Sequence, residues 1–228
     1  MPRAVAVVQA RMGSTRYPGK AMALLGGRPL IEWVVRRVLA AKTISAIVVA
    51  APDSAQNDAM ADAAERLGAA IFRGSEDDVL GRMTKAARAQ KADEFIRVCA
   101  DNPFVSPREI DALVDFYRKE KPDYAFNHVP KPGAPHADGL GAEMASFSLV
   151  EALDREAVEP RHREHMFLLV TENPGRFKSA SPKPFPDAAF PDVKLDVDTP
   201  ADLERLSRLD CLDDVLVEAG AVVRAARR

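Results

Sequence analysis

Residues 5–20, VAVVQARMGSTRYPGK, decide which fold this chain can adopt. The apolar run from Ala4 to Val8 is typical of a strand buried on both faces, as in a parallel sheet. It leads into a polar loop with three cations, Arg11, Arg16 and Lys20. A strand followed by a glycine-containing cationic loop can present backbone N–H groups and positive charge to a polyphosphate. An ordinary basic surface turn remains an alternative, since the loop matches neither the Walker A nor the GxGxxG pattern.

Composition indicates a globular protein of ordinary character. The chain has 228 residues, of which 47% are hydrophobic and 29% are charged. The net charge is −2, so no global basic field is available to hold a nucleic acid. Anion binding, if the protein uses it, must therefore be local to a segment such as the 11–20 loop.

Cysteine usage and the N-terminus suggest where the protein works. Only Cys99 and Cys211 are present, which fits a reducing compartment and provides no disulfide framework. The N-terminus runs directly into the first strand, and no apolar run reaches the length of a membrane span. We expect a cytoplasmic protein without a membrane partner.

Hydrophobic periodicity predicts four β-α units in the first half of the chain. The predicted strands cover residues 4–8, 44–51, 69–74 and 94–101. The predicted helices cover residues 29–41, 55–67, 75–90 and 106–121, with Ser75 and Ser106 as N-caps. This alternation predicts an α/β fold with a parallel sheet and helices on both faces.

The rhythm changes after Pro122. Strands are predicted at 123–127, 142–146 and 193–198, with helices at 148–157 and 161–172 and a last helical region from Thr199-Pro200. We interpret residues 123–185 as an arm inserted within a single domain of residues 1–228, because the segment is too long and too rich in proline for a simple crossover.

Two of the predicted strands end in acidic residues. Asp101 ends the strand at 94–101, and Asp198 ends the strand at 193–198, with Asp196 on the same face. The carboxyl ends of strands in an open α/β sheet meet at one edge, so these acids could converge near Lys20. Carboxylates beside phosphate favour Mg²⁺, a hard ion that takes oxygen ligands. The alternative is that each aspartate only caps the turn or helix that follows it.

Six segments in order along the chain carry a resemblance to a known family. They are QARMGSTRYPGK (9–20), RGSEDDVLGR (73–82), CADNPFV (99–105), ADGLGAE (137–143), RHREH (161–165) and LDVDTPADL (195–203). The chain resembles the cytidylyltransferases that make CMP-activated sugar acids, the acylneuraminate and 3-deoxy-manno-octulosonate cytidylyltransferases. It is most similar to their spore-coat polysaccharide branch.

The resemblance implies a Rossmann-like, mostly parallel sheet of the nucleotide-diphospho-sugar transferase type. It further implies an enzyme that uses CTP and Mg²⁺ and transfers CMP to a sugar acid or related acceptor, with release of pyrophosphate. The product would serve surface polysaccharide or glycoconjugate biosynthesis. The inserted arm, above all residues 128–165, would face the acceptor and form a homodimer interface.

The resemblance also implies roles for individual residues. The nucleotide-binding set is Ala10, Arg11, Gly13, Ser14, Lys20, Arg73 and Ser75. The catalytic set is Arg11, Lys20, Asp101 and Asp198, and the metal ligands are Asp101 and Asp198 with Asp196 as a further candidate. The acceptor-binding set is Asp138, Glu143, Arg163 and His165. For Glu143 a salt bridge is an equally good interpretation, and for Arg163 and His165 the alternative is a solvated helix face.

Two other functional classes remain open from the sequence. A glycosyltransferase that uses a nucleotide sugar would also need acidic residues and a metal. A non-catalytic nucleotide-binding relative could retain the fold, although Lys20, Asp101 and Asp198 argue against it. Release of pyrophosphate from CTP would distinguish the cytidylyltransferase from both, and the sequence does not identify the acceptor.

Overall fold

Seven strands form one sheet in the part of the chain that the computed structural model describes, residues 2–129 and 133–228. The strands are β1 (Ala4–Gln9), β2 (Leu24–Leu25), β3 (Arg28–Pro29), β4 (Ala46–Pro52), β5 (Ala70–Gly74), β6 (Glu94–Cys99), β7 (Tyr124–Phe126), β8 (Glu143–Ser146) and β9 (Ser179–Ala180). The strand order in the sheet is β5-β4-β1-β6-β8-β7-β9, while β2 and β3 form a separate hairpin. The β5, β4, β1 and β6 strands are mutually parallel, β8 is antiparallel to both β6 and β7, and β9 is parallel to β7.

Helices cover both faces of this sheet. They are α1 (Leu30–Leu39), α2 (Asp58–Arg66), α3 (Val79–Ala89), α4 (Pro107–Glu120), α5 (Phe147–Glu156), α6 (Pro160–Glu164), α7 (Leu168–Thr171), α8 (Pro200–Leu206) and α9 (Ala219–Ala226), with single 3₁₀ turns at Lys20–Met22 and Ala55–Asn57. The predicted α/β fold with a mostly parallel sheet is confirmed. No helix among the described residues is both long and apolar enough to cross a membrane.

The β1 strand lies at the centre of two hydrophobic cores. Its residues alternate between the faces of the sheet, as successive side chains of a strand must. Ala4, Ala6 and Val8 pack with α1, α2 and α4 on one face. Val5 and Val7 pack with α3 and α5 on the other. All five residues are fully buried, which explains why the sequence shows an unbroken apolar run here rather than an alternating one.

A third core joins the β2–β3 hairpin to the C-terminal part of the chain. Trp33 donates from Nε1 to the Leu25 carbonyl at 2.8 Å, and its ring meets Phe104 edge to face at 5.5 Å between centroids. Apolar residues of the C-terminal segments, among them Leu195 and Val197, pack into the same cluster. Trp33 is fully buried in this core.

The prediction of a strand at residues 193–198 is wrong. The segment forms only an isolated parallel bridge, between Lys194 and Asp138. Val193, Leu195 and Val197 are buried in alternation, so the pattern correctly indicates an extended backbone with one apolar face. The segment lies against loops rather than a sheet edge, because the Val197 N–H donates to the Asp101 carbonyl at 2.8 Å, beyond the end of β6.

Two predicted helix boundaries also need correction. The helix predicted at 161–172 is two helices, α6 and α7, separated where Met166 and Phe167 turn inward and become buried. The cap of α3 is Asp78 rather than Ser75, since the Asp78 carboxylate accepts from the Gly81 N–H at 2.9 Å. By contrast, Ser106 caps α4 as predicted.

Arg37 is an unexpected charge in the core. It stands three residues after Val34 on the apolar face of α1 and is fully buried. Its guanidinium donates to three backbone carbonyls: those of Val105, Val215 and Val217. Burial lowers its pKa to about 10. Arg37 therefore ties the segment before α9 to the start of α4.

The inserted segment, residues 123–185, contributes β7, β8 and β9 to the main sheet. It is anchored to α4 through Asn127, whose side-chain Nδ2 donates to the Glu109 carbonyl at 2.9 Å and whose Oδ1 accepts from the Ala142 N–H. Gly141 is required at this contact, because a Cβ there would lie 2.2 Å from the Asn127 carbonyl oxygen. The segment is thus fixed against the parallel half of the fold.

The burial of Glu109 predicts that the stability of the protein depends on pH. It is 2% exposed, its Oε1 has no hydrogen-bond partner among the described residues, and burial raises its pKa to about 7. A carboxyl whose pKa is raised on folding favours the folded state while protonated, and this stabilisation is lost as the pH rises through about 7. We expect Glu109→Gln to be more stable than the wild type by about 2 kcal/mol at pH 8.5, and by much less at pH 5.5.

Urea unfolding at the two pH values measures this difference. Glu65→Gln, on the exposed face of α2, is the control and should shift stability little at either pH. A Glu109→Gln effect that is the same at both pH values would contradict the interpretation.

Candidate functional site

A cleft of about 250 Å³ opens at the carboxyl ends of β1 and β6. Its walls come from the loop after β1, from the end of β6 and from the segment before α8. The lining residues are Gln9, Ala10, Arg11, Ser14, Thr15, Arg16, Lys20, Ala21, Arg97, Cys99, Ala100, Asp101 and Asp198. A polar cleft at this edge of the sheet is where open α/β folds bind ligands.

The loop after β1 is held in shape from both ends. The Met12 N–H donates to Asn57 Oδ1 at 2.9 Å, and the Gly19 N–H donates to the Met12 carbonyl at 2.8 Å. Gly19 has φ +76°, a left-handed conformation that favours glycine. A Cβ on Gly13 would lie 2.6 Å from Glu76 Oε1, so a larger residue would have to displace that side chain. These constraints place Arg11, Ser14 and Lys20 on one wall of the cleft.

Lys20 joins the two predicted carboxylates across the cleft. Its Nζ lies 2.8 Å from Asp101 Oδ2 and 3.5 Å from Asp198 Oδ1, and it donates to the Val197 carbonyl at 3.0 Å. Arg16 adds a second cation at 2.8 Å from Asp198 Oδ1. Burial alone would raise the pKa of Asp198, but Lys20, Arg16 and Lys194 outweigh it and hold the pKa below its usual range. Asp198 is therefore ionised at neutral pH.

A capping box fixes the backbone at Asp198. Thr199 caps α8 by accepting from the Asp202 N–H, and the Asp202 carboxylate accepts in return from the Thr199 N–H at 2.9 Å. The same carboxylate accepts from the Asp198 N–H at 3.1 Å. Asp198 thus points into the cleft from a helix start rather than from a strand end.

The residues at the cleft fit a divalent cation that substrate phosphates help to hold. No group of three or more histidine, cysteine, aspartate or glutamate side chains among residues 2–129 and 133–228 is arranged to hold a metal by itself. Mg²⁺, however, is commonly bound by one or two carboxylates together with phosphate and water. The carboxylates of Asp101 and Asp198 face one point, which the Lys20 ammonium approaches at 2.8 and 3.5 Å.

Asp196, the third metal candidate, lies beside this pair without contacting Lys20. Its Oδ1 is buried and lacks a hydrogen-bond partner in the described structure, while Lys194 Nζ lies 3.4 Å from Oδ2. Burial raises the pKa of Asp196, and Asp198 and Asp101 add to that effect against Lys194. Asp138, an acceptor candidate, borders the same group, and burial together with Asp196 raises its pKa to about 6.

A second pocket, of about 600 Å³, adjoins the cleft and is formed mainly by the inserted segment. The lining residues are Arg97, Tyr124, Phe126, His128, Val129, Glu143, His165, Met166, Phe167, Leu168, Thr171, Pro174 and Ser179. Its walls are largely aromatic and aliphatic, in contrast to the polar cleft. Two of the predicted acceptor residues, Glu143 and His165, line this pocket.

Arg97 and Glu143 form a buried ion pair at the floor of the second pocket. They are direct cross-strand partners in β6 and β8, and Arg97 Nη1 donates to Glu143 Oε2. The Tyr124 hydroxyl donates to Glu143 Oε1, and Arg97 Nε donates to Gln9 Oε1 at 2.8 Å. Burial alone would raise the pKa of Glu143, but Arg97, His128 and Tyr124 outweigh it and lower the pKa. The salt-bridge interpretation of Glu143 is correct.

Six predicted site residues lie outside the linings of both cavities: Gly13, Arg73, Ser75, Asp138, Arg163 and Asp196. The Arg73 guanidinium pairs with Asp58 at 2.7 Å, at the far edge of the sheet. The Ser75 hydroxyl accepts from the Asp78 N–H at 3.1 Å. Arg163 bonds to both Asp78 and Asp154 and so ties α6 to α3 and α5. In this structure both partners engage the Arg163 guanidinium, and an acceptor contact of Arg163 stays a prediction.

Sequence reasoning missed Gln9, Arg97 and Tyr124 as residues of the site. A charged residue inside an otherwise apolar strand, as Arg97 is in EFIRVC, was an available signal. Lys, Arg, Glu and Asp are almost never fully buried unless paired, so such a residue needs a partner near by. The partner, Glu143, lies 46 positions away in sequence, and a single sequence does not reveal that pairing.

Comparison with known proteins agrees with the fold. A family model described as Cytidylyltransferase matches residues 5–225. The chain belongs to the cytidylyltransferase family.

Three relatives illustrate the range of that family. The spore coat polysaccharide biosynthesis protein SpsF of Bacillus subtilis is 31% identical over 211 residues, covering 89% of this chain and 84% of the relative. A 3-deoxy-manno-octulosonate cytidylyltransferase of Trichlorobacter lovleyi is 34% identical over 113 residues, covering 49% of this chain and 43% of the relative. The solved structure of a cytidylyltransferase from Leptospira borgpetersenii superposes with a TM-score of 0.89 at 26% identity, covering 100% of this chain and 94% of that one.

The position of Lys20 between two carboxylates predicts that it stabilises the folded protein. The Lys20 side chain is 14% exposed and lies between Asp101 and Asp198. Replacing it by methionine leaves the two carboxylates facing each other without this cation. We expect Lys20→Met to lower the free energy of unfolding at pH 7.5 by about 1–3 kcal/mol, since removing one partner of a partly buried pair leaves the other uncompensated.

Two further variants test the cause of this loss. Lys20→Met combined with Asp198→Asn should recover part of it, because only one carboxylate then remains charged. Lys194→Met is the matched control: it also approaches Asp198, at 3.5 Å, but it is 45% exposed and should cost less. Equal losses for Lys20→Met and Lys194→Met in urea unfolding would show that the site is not organised around Lys20.

Proposed function

We propose that this protein transfers CMP from CTP to a hydroxyl group of a sugar acid or a related acceptor and releases pyrophosphate. The observation that carries the proposal is the arrangement around Lys20, where a cationic loop and two carboxylates from distant segments face one cleft. Membership of the cytidylyltransferase family supports the nucleotide. The name of the Trichlorobacter relative supports a sugar-acid acceptor. The name of the Bacillus relative supports a role in polysaccharide biosynthesis.

The residues of the loop suit the triphosphate. Arg11, Ser14 and Lys20 lie on one wall of the cleft, where positive charge and donor groups would bind the β- and γ-phosphates. Charge neutralisation there favours departure of pyrophosphate, because the leaving group gains negative charge as its bond to the α-phosphorus breaks.

The carboxylates of Asp101 and Asp198 would hold a divalent cation, and Mg²⁺ is our proposal for it. When bound, such an ion would withdraw charge from the α-phosphate and lower the pKa of the attacking hydroxyl. In the reaction the acceptor oxygen forms a bond to the α-phosphorus, the bond to the bridging oxygen breaks, and the hydroxyl proton passes to water. The protein mainly positions the reactants and supplies fixed charge.

The second pocket is the proposed acceptor site. It adjoins the cleft, it has room for a molecule the size of a sugar, and Glu143 and His165 are polar groups on its wall. Its aromatic and aliphatic walls would leave few water molecules in a position to attack the α-phosphorus in place of the acceptor, which favours transfer of CMP over hydrolysis.

Pyrophosphate release from CTP tests the proposal. Incubation with Mg²⁺ and a panel of sugar acids and neutral sugars should yield pyrophosphate with at least one acceptor, and the same acceptor with ATP, GTP or UTP should yield much less.

Asp198→Asn, which keeps the shape of the side chain and removes its charge, should reduce turnover at least 100-fold while leaving the fold intact. Chelation of the metal should stop release, and added Mg²⁺ should restore it.

The control variant is Asp192→Asn, an exposed aspartate shortly before the same segment, which should retain full turnover. Near-normal pyrophosphate release by Asp198→Asn at saturating Mg²⁺ would contradict the assignment. Transfer of a sugar from a nucleotide sugar, without pyrophosphate release from CTP, would favour the glycosyltransferase instead.

We also propose that residues 123–185 form the interface of a two-fold homodimer. In support, β9 lies at the edge of the sheet, and Val158 of the same segment is 85% exposed. Closed two-fold dimers are the commonest symmetric assembly of soluble proteins. Light scattering should report twice the monomer mass of 24.8 kDa over a wide range of concentration. A monomer throughout that range would refute the proposal.

A further inference from the structure

Arg97 occupies a special position between the two cavities. Among the described residues it is the one side chain that lines both the polar cleft and the acceptor pocket. Lys20 and Arg11 line the cleft alone, whereas Glu143 and Tyr124 line the pocket alone. The Arg97 side chain therefore lies at the boundary between the two cavities. A group that is transferred from a ligand in one cavity to a ligand in the other has to cross this boundary.

The geometry of in-line displacement places the reacting centre at this boundary. The entering oxygen and the leaving pyrophosphate must lie on opposite sides of the α-phosphorus. If the loop cations hold the leaving pyrophosphate and the second pocket holds the acceptor, the α-phosphate lies between them. This step rests on the proposed function.

The Arg97 side chain is also held in one orientation. Nε donates to Gln9 Oε1 at 2.8 Å, and Nη1 donates to Glu143 Oε2, which the Tyr124 hydroxyl supports from the other side of the carboxylate. The Arg97 side chain is 18% exposed and lines both cavities. A donor held rigidly in a site with little water stabilises developing charge more than a mobile one, because it needs no reorganisation during the reaction.

We propose that Arg97 is a catalytic residue that donates to the non-bridging oxygens of the α-phosphate as negative charge develops on them, and that Glu143, Tyr124 and Gln9 are its positioning residues. No bond to Arg97 forms or breaks. The side chain contributes a fixed cation at the point where the acceptor oxygen bonds to phosphorus and pyrophosphate departs. The role differs from that of Lys20 and Arg11, which face the leaving group.

Four variants test the role by separating turnover from nucleotide binding. Arg97→Lys keeps the charge opposite Glu143 but loses the fork of donors, and we expect turnover to fall about 100-fold while the Kd for CTP changes less than about threefold. Tyr124→Phe and Glu143→Gln act through the position of Arg97, so each should lower kcat by a smaller factor without changing the KM for CTP. Guanidinium ion should partly restore turnover to Arg97→Ala.

The matched control is Arg118→Gln. Arg118 on α4 pairs at 2.7 Å with Glu94, the first residue of β6, outside the linings of both cavities. The variant therefore breaks an arginine–glutamate ion pair at the other end of the strand that carries Arg97. It should retain turnover within about threefold of the wild type. If single Arg97 variants fail to fold, Arg97→Met combined with Glu143→Met removes both charges of the pair. That variant should fold and still lack turnover, and normal turnover in it would overturn the proposal.

A measurement without turnover separates this proposal from the proposed function. In ¹⁵N NMR spectra, the Nε–H signal of Arg97, assigned from its absence in Arg97→Lys, should shift when CTP with Mg²⁺ saturates the wild type. The Arg118 signal should stay in place. An unmoved Arg97 signal at saturation would overturn the proposal. A shifted signal without pyrophosphate release for any acceptor would instead refute the proposed function.

Discussion

The rest of the molecule depends on the burial of β1 on both faces and along both edges. It pairs in parallel with β4 on one side and with β6 on the other, and its side chains contribute to the cores above and below the sheet. Its direction is therefore fixed, and the loop that follows has to leave at the carboxyl edge. Because β6 runs parallel to it, Asp101 emerges at the same edge. The cleft is thus a consequence of strand polarity, before any side-chain contact is considered.

The sequence predicted the parallel half of the fold well, because the strands, helices and caps of that half are determined by residues close together in the chain. The buried run at Ala4–Val8 and the cap at Ser106 are each settled within a few residues. The convergence of Asp101 and Asp198 on Lys20 could also be anticipated, because strand ends meet at one edge of the sheet. For Asp198 the expected reason was wrong, since a helix cap rather than a strand end places it.

The features that could not be predicted depend on contacts between distant residues. The alternation in residues 193–198 specifies an extended chain but does not say whether the neighbour is a strand or a loop. Arg37 and Arg97 stand among apolar residues of a helix and a strand, whereas Arg163 stands among polar residues in α6, and the three differ in burial and role. Their partners lie between 9 and 180 positions away, so the free-energy cost of burying each charge is offset by groups that a local pattern does not contain.

The two cavities differ in chemistry because they come from different parts of the fold. Side chains at the ends of the parallel strands and in the loop after β1 form the cleft, where charges from rigid elements suit a phosphate chain common to all nucleoside triphosphates. Side chains of the inserted segment form most of the second pocket, where aromatic and aliphatic walls distinguish ligands by shape. Substitutions in the pocket walls can therefore change the shape of the second pocket without disturbing Lys20 and the two carboxylates. The exception is Arg97, whose orientation depends on Glu143 while its side chain also lines the cleft. Through this ion pair, a change in the second pocket reaches the polar cleft.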